Sequence, residues 1–279
     1  MTILDKRNRL FGKIHILYIG LPLLAIVSLF TLLSLYGRSG TFVTVRIKGG
    51  PGNWWWVTPR PPEWYTRSLK VGDVETDSLG RAIATVEDVQ IYESGGPNKD
   101  VYLLAKLRAS YNPLNKKYKY KGQSVQIGAP ITLELGETLF SGNIIEIDVG
   151  GAKIESSLVE KTVVVRLYNA YVWEYDAITI GETMTDGSGN VIAEIVDKYQ
   201  RPPNFSVVYL TDRGNLVFDN DPDRLDITVT LTVKAREEGQ VYVFREEQHL
   251  KVGKSVWAFF PSYDIAGARI IAVEDAKPS

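Results

Sequence analysis

Apolar and polar residues alternate along much of the chain beyond residue 40, in short runs rich in Val, Ile and Thr that predict β-strands. Thr41 to Ile47, TFVTVRI, is one such run, and Thr162 to Leu167, TVVVRL, is its counterpart. The pattern also repeats at longer range. Residues 69–88, LKVGDVETDSLGRAIATVED, return at 178–197 as ITIGETMTDGSGNVIAEIVD, with seven of twenty positions identical and four others exchanging one apolar residue for another. A further block recurs at Val125-Gln126-Ile127-Gly128 and Leu250-Lys251-Val252-Gly253. Each half therefore carries two apolar-x-apolar-Gly corners, where glycine permits a bend that a side chain would obstruct.

One stretch breaks this pattern. Ile14 to Tyr36 holds no Asp, Glu, Lys or Arg, and at about 1.5 Å per residue its 23 positions would cross a ~30 Å hydrocarbon layer. It is too long for the apolar part of a cleaved signal peptide, so an uncleaved signal-anchor is expected, kinked at Pro22. Lys6, Arg7, Arg9 and Lys13 precede it and only Arg38 follows closely, which predicts a cytoplasmic N-terminus. The expected fold class is mainly β: one N-terminal transmembrane helix followed by two tandem, duplicated small antiparallel β-barrel or sandwich modules. The expected divisions are a basic tail at 1–13, the helix at 14–37, a first module at 41–150 and a second at 158–275. Val149 to Ser157 reads as a linker and residues 200–224 as an insertion in the second copy. A single intertwined β-domain is the alternative architecture.

Composition narrows the chemistry. The 279 residues include no cysteine, excluding disulfides and thiolate catalysis and suiting a bacterial exported domain. The formal net charge is −1, with no basic excess to suggest nucleic acid. Only His15 and His249 could supply imidazole, so no metal or other cofactor is expected. Asp219 to Asp223, DNDPD, fails the calcium-loop pattern, with Arg224 and Thr230 where glycine and glutamate belong, and reads as a turn. Gly187-Ser188-Gly189 lacks the spacing of a nucleophile elbow, and its counterpart Ser78-Leu79-Gly80 makes it a recurring turn. The pairs Glu237-Glu238 and Glu246-Glu247 read as solvent-facing acids.

Two features could bind something. Asn53 to Tyr65, NWWWVTPRPPEWY, gathers Trp54, Trp55, Trp56, Trp64 and Tyr65, a set suited to a protein interface or a lipid headgroup zone; the plain alternative is packing within the first module. Lys117, Lys119 and Lys121 would share one face of a strand, where they could meet an anionic surface or, more simply, guard an exposed sheet edge.

The basic tail and apolar segment, DKRNRLFGKIHI at Asp5 to Ile16, resemble the opening of an uncharacterised bacterial family, domain-of-unknown-function family 4330. The segments Val71-Gly72-Asp73 and Gly80 to Val86 are similar to that family's V-G-D and G-x-x-I-G-x-V segments, although Ala84 stands where glycine is expected. The resemblance covers about the first 90 residues and implies a single-pass bacterial membrane protein, with no catalytic residue to carry over. The expectation is a non-enzymatic structural or adaptor protein of a cell-envelope assembly. It would sit in the bacterial cytoplasmic membrane with its bulk outside the cytoplasm, beside envelope protein partners or further copies of itself. The Leu-x-x-Gly-Asp corner also loosely resembles the MCE lipid-transfer barrels, which would imply a subunit of an envelope transport complex. A wall-polysaccharide-binding or -modifying protein is a third expectation, since aromatic clefts bind sugars.

Overall fold

The structure is a computed structural model that describes residues 9–10, 14–36, 41–50, 60–149, 158–203, 207–210, 212–214, 216–219, 221 and 223–276. The chain divides into two compact units, 1–41 and 42–279. In the first, β1 (Arg9–Leu10) pairs with β2 (Ile14–His15) and α1 follows over Ile16–Tyr36. The expected transmembrane helix is corrected by this unit: no helix among the described residues is long and apolar enough to cross a membrane. Pairing of Ile14 and His15 with β1 delays the helix start.

The second unit is almost wholly antiparallel sheet. Its first half contains β3 (Thr41–Gly49), a short α2 (Glu63–Thr66), β4 (Val74–Thr76), β5 (Ala82–Glu93) and β6 (Lys99–Asn112). It continues through β7 (Lys117–Tyr120), β8 (Gln123–Val125), β9 (Pro130–Leu135) and β10 (Thr138–Asp148). The second half begins with β11 (Leu158–Tyr171), α3 (Val172–Ala177), β12 (Thr183–Thr185) and β13 (Val191–Arg201). A private hairpin of β14 (Val207–Leu210) and β15 (Leu216–Asp219) occupies the insertion. Then come β16 (Arg224–Glu238), β17 (Val241–Phe244), β18 (Gln248–His249), β19 (Ser255–Phe259) and β20 (Asp264–Asp275).

The two barrel-like sheets share one topology. Strand order is β4-β5-β6-β3-β10-β9 in the first and β12-β13-β16-β11-β20-β19 in the second, with β7-β8 and β17-β18 attached at matching places. Strands of one sheet do not complete the other; a single bridge, Tyr92 to Asp186, crosses between them among the described residues. Alternation dictates the packing. In β9, Ile131, Leu133 and Leu135 turn inward while Thr132 and Glu134 face out, as the two-residue period requires. Val43, Val45 and Ile47 of β3 and Val163 and Val165 of β11 are fully buried on the corresponding inner faces.

The four glycine corners are one device used four times. Gly72, Gly128, Gly181 and Gly253 all lie at φ between +83° and +91°, a conformation that costs other residues about 1–2 kcal/mol. Each donates its N–H to the carbonyl of a buried residue on the next long strand: Val86, Ile144, Ile195 and Ile270, at 2.7–2.9 Å. The same four residues donate their own N–H to Asp73, Ala129, Glu182 and Lys254, just beyond the glycine. Immediately after each of the four, the strand register shifts by a bulge. Each module is thus internally duplicated, reading β4-β5-β6 from one edge and β9-β10-β3 from the other.

Candidate functional site

Of the aromatic cluster expected to bind a partner, Trp54, Trp55 and Trp56 lie outside the described residues. Trp64 and Tyr65 sit on α2. Trp64 is 75% exposed and meets the Tyr65 ring edge-on at 5.9 Å. Tyr65 is half-buried, donates its hydroxyl to the Leu139 carbonyl at 2.7 Å, and has its pKa pushed up by that burial. The tyrosine therefore anchors the helix while the tryptophan stands free.

The second module repeats this arrangement, a correspondence the sequence reading missed. Trp173 stands five positions before Ile178, as Trp64 stands five before Leu69, and both Leu69 and Ile178 are buried. Trp173 lies on α3 and is 61% exposed. It stacks on Tyr171 at 6.3 Å and meets Tyr263 edge-on at 6.4 Å. The Tyr263 hydroxyl donates to Glu174, and the Arg224 guanidinium covers the Tyr171 ring at 3.3 Å. The signal was available in E-W-Y against W-E-Y, but the acid, which precedes the first Trp and follows the second, hid it.

The lysine row is not brought together as expected. Lys117 and Lys119 are exposed on β7, but Lys121 lies in the following turn at φ +48°, where its ammonium binds the buried Glu75 and, at 3.3 Å, Glu134. Nor does β7 form a sheet edge, since it pairs with β6 on one side and β8 on the other. Asp221 accepts the Asp223 N–H at 3.0 Å, as a turn former does, and no metal-holding group of His, Asp or Glu occurs among the described residues.

The largest concentration of buried charge lies where the modules meet. Arg46 of β3 binds Glu146 of β10 at 3.0 Å and reaches across to Glu246, in the turn between β17 and β18. Arg236 of β16 reaches back to Glu146 at 3.5 Å and also holds Glu238 and, at 3.4 Å, Glu246. Side-chain exposure is 7% for Arg46, 5% for Arg236 and 9% for Glu246. Burial lowers the Arg46 pKa, reinforced by the neighbouring Arg236. The solvent-facing reading of Glu246 is thereby corrected: its carboxylate lies between two guanidinium groups of different modules. Glu247 binds Lys48 across the same seam at 2.6 Å.

Arg245 extends the seam. It donates to the carbonyl of Glu93 and to Trp257 O at 3.3 Å, and binds Asp100 at 3.1 Å. Tyr92 and Tyr102 of the first module pack into the hydrophobic core of the second, their rings 5.9 Å apart. Burial, then the charge of Asp186, pushes the Tyr92 hydroxyl up to about 12. Gly187 N donates to Ile91 O at 2.8 Å, and a Cβ there would lie 2.7 Å from the Ile91 Cβ, so only glycine fits. These contacts set the two modules in one fixed arrangement. Comparison with known protein families, with curated proteins and with solved structures finds no match.

Proposed function

We propose that this protein is a non-enzymatic structural or adaptor component of a cell-envelope assembly, which grips a protein partner through the same aromatic platform on each module. The observation that carries this reading is the pair Trp64 and Trp173, equivalent in the repeat and both turned to solvent. Folding does not call for it, because Leu69 and Ile178 already plug the cores at that point. Exposed Trp on a short, braced helix supplies a large contact area with little entropy to lose, the character of interface hot spots. The charged seam supports the reading by holding both platforms at a constant separation, and the cysteine-free composition suits work outside the cytoplasm. Trp64→Ala, Trp173→Ala and the double variant test it, with circular dichroism to check folding. After cross-linking in native cells, the same associated protein should be reduced in each single variant and lost in the double. An unchanged set of associated proteins in the folded double variant overturns it.

A further inference from the structure

A cleft of about 590 Å³ opens along the seam, lined from both modules. Its charges do not balance. Four cationic side chains line it, Lys48, Arg60, Arg245 and Lys254, against two acids, Asp100 and Glu247, in a chain whose overall net charge is −1. Lys48 and Glu247 neutralise each other. Arg60 and Arg245, however, share the single carboxylate of Asp100, each at 3.1 Å. Lys254 is exposed and has no carboxylate partner among the described residues. The site carries two positive charges in excess, one of them tied to the Asp100 triad and therefore fixed in place. Low-dielectric walls concentrate such a field.

Part of the lining beside Arg245 is aromatic. Trp257 belongs to β19, where Val256 and Ala258 face the core and the indole faces out, 45% exposed. Its backbone is clamped by the Gln248 side chain, which accepts from Trp257 N at 2.7 Å and donates to Trp257 O at 3.0 Å. Beneath the indole lies Gly267, where even a Cβ would only just make contact at 3.8 Å. A flat apolar face, neighbouring amide, hydroxyl and imidazole groups, and a surplus of fixed positive charge together match one kind of ligand. The C–H face of a sugar ring stacks on indole, its hydroxyls meet the polar rim, and an acidic substituent meets the cations. The volume lies within the range of small-ligand sites.

We infer that the seam cleft binds an acidic saccharide, a sugar ring bearing a carboxylate or phosphate group, with Trp257 as the stacking surface and Lys254 and the Arg60–Arg245 pair as the anion contact. This inference rests on the cleft alone, so the Trp64 and Trp173 variants should bind the sugar as the unaltered protein does. Calorimetry and tryptophan fluorescence would compare a uronic-acid disaccharide, glucose 6-phosphate, maltose and benzoate as probes. At least one of the acidic sugars should bind about tenfold or more tighter than maltose, and weaken as salt is raised. Which of the two binds better separates carboxylate from phosphate recognition. Lys254→Ala, at an exposed position that leaves folding intact, should weaken binding about tenfold, and Lys254→Arg should restore it. Trp257→Ala should abolish the fluorescence response as well as affinity. Equal binding of maltose, equal binding of benzoate, or no binding of either acidic sugar at millimolar concentration would each overturn the inference, as would unaltered affinity in Lys254→Ala.

Discussion

At the same point in the repeat, the first module turns on Lys121-Gly122 and the second on Arg245-Glu246. All four residues have positive φ, +48° and +81° in the first turn and +51° and +66° in the second. Glycine adopts this conformation freely, whereas glutamate is strained in it by about 1–2 kcal/mol. The partners explain the difference. Lys121 turns back to Glu75 and Glu134 of its own module, while Arg245 and Glu246 reach Asp100 and Arg46 of the other. The same contrast holds at the hairpin that follows the first corner. Asp77 and Asp186 each accept backbone N–H bonds from their own turns, but Ser78 in the first becomes Gly187 in the second, where the turn docks on Ile91. The repeat builds two similar barrels; departures from it at 187, 245 and 246 join them.

The comparison is broken most severely at β3 and β11. Arg46 and Arg166 occupy equivalent V-R positions, but Arg46 is buried among the seam carboxylates and Arg166 bonds Thr228 at 3.3 Å near solvent. Arg46→Ala removes one cation from between Glu146 and Glu246 and should cost about 3–5 kcal/mol in urea unfolding, as loss of one partner from a buried pair does. Arg166→Ala should cost less than about 1 kcal/mol. Equal losses would show that the seam contributes nothing special.

Alkaline titration sharpens the contrast next. The native state holds the Tyr92 proton more tightly than the unfolded chain, so this contribution is complete below about pH 10 and is lost as pH rises from there through about 12. On the order of 3 kcal/mol at most should disappear over that window, and Tyr92→Phe should reduce the loss. An unchanged profile in Tyr92→Phe would place the titrating group elsewhere.

Smaller effects should follow at the turns. Gly187→Ala forces a Cβ against Ile91 and should cost about 2 kcal/mol, while Ser78→Ala should stay within about 0.5 kcal/mol; both are readable from thermal midpoints. Gly122→Ala should cost about 1 kcal/mol, the strain the second module already bears at Glu246. A Gly122→Ala variant as stable as the unaltered protein would remove the argument that Glu246 is held at a cost.

Much of the β architecture is legible in the residues themselves. Period-two runs such as TFVTVRI and TVVVRL specify strands and inner faces, and the four apolar-x-apolar-Gly corners specify where the chain bends, because both signals act within a few residues. Reading Ile14–Tyr36 by length and apolarity alone led to a membrane span, whereas no helix among the described residues is long and apolar enough to cross a membrane. The site was far less legible. Lys121 continued an alternating lysine pattern, yet a turn took it off the strand face; Trp173 lay beyond a shifted acid and went unmatched to Trp64.

By itself, the sequence determined that this protein is a duplicated β-structure and where its corners fall, since hydrophobic periodicity and glycine conformation are local properties. Only the tertiary structure decided what Arg245-Glu246-Glu247 does. Adjacent charges in a polar run look solvated by composition, and the burial of Arg245 and Glu246 depends on partners far away in the chain: Asp100 on β6 and Arg46 on β3. Local pattern carries no information about which carboxylate meets which guanidinium across a seam. That pairing exists only once two folded surfaces are pressed together and the water between them is gone.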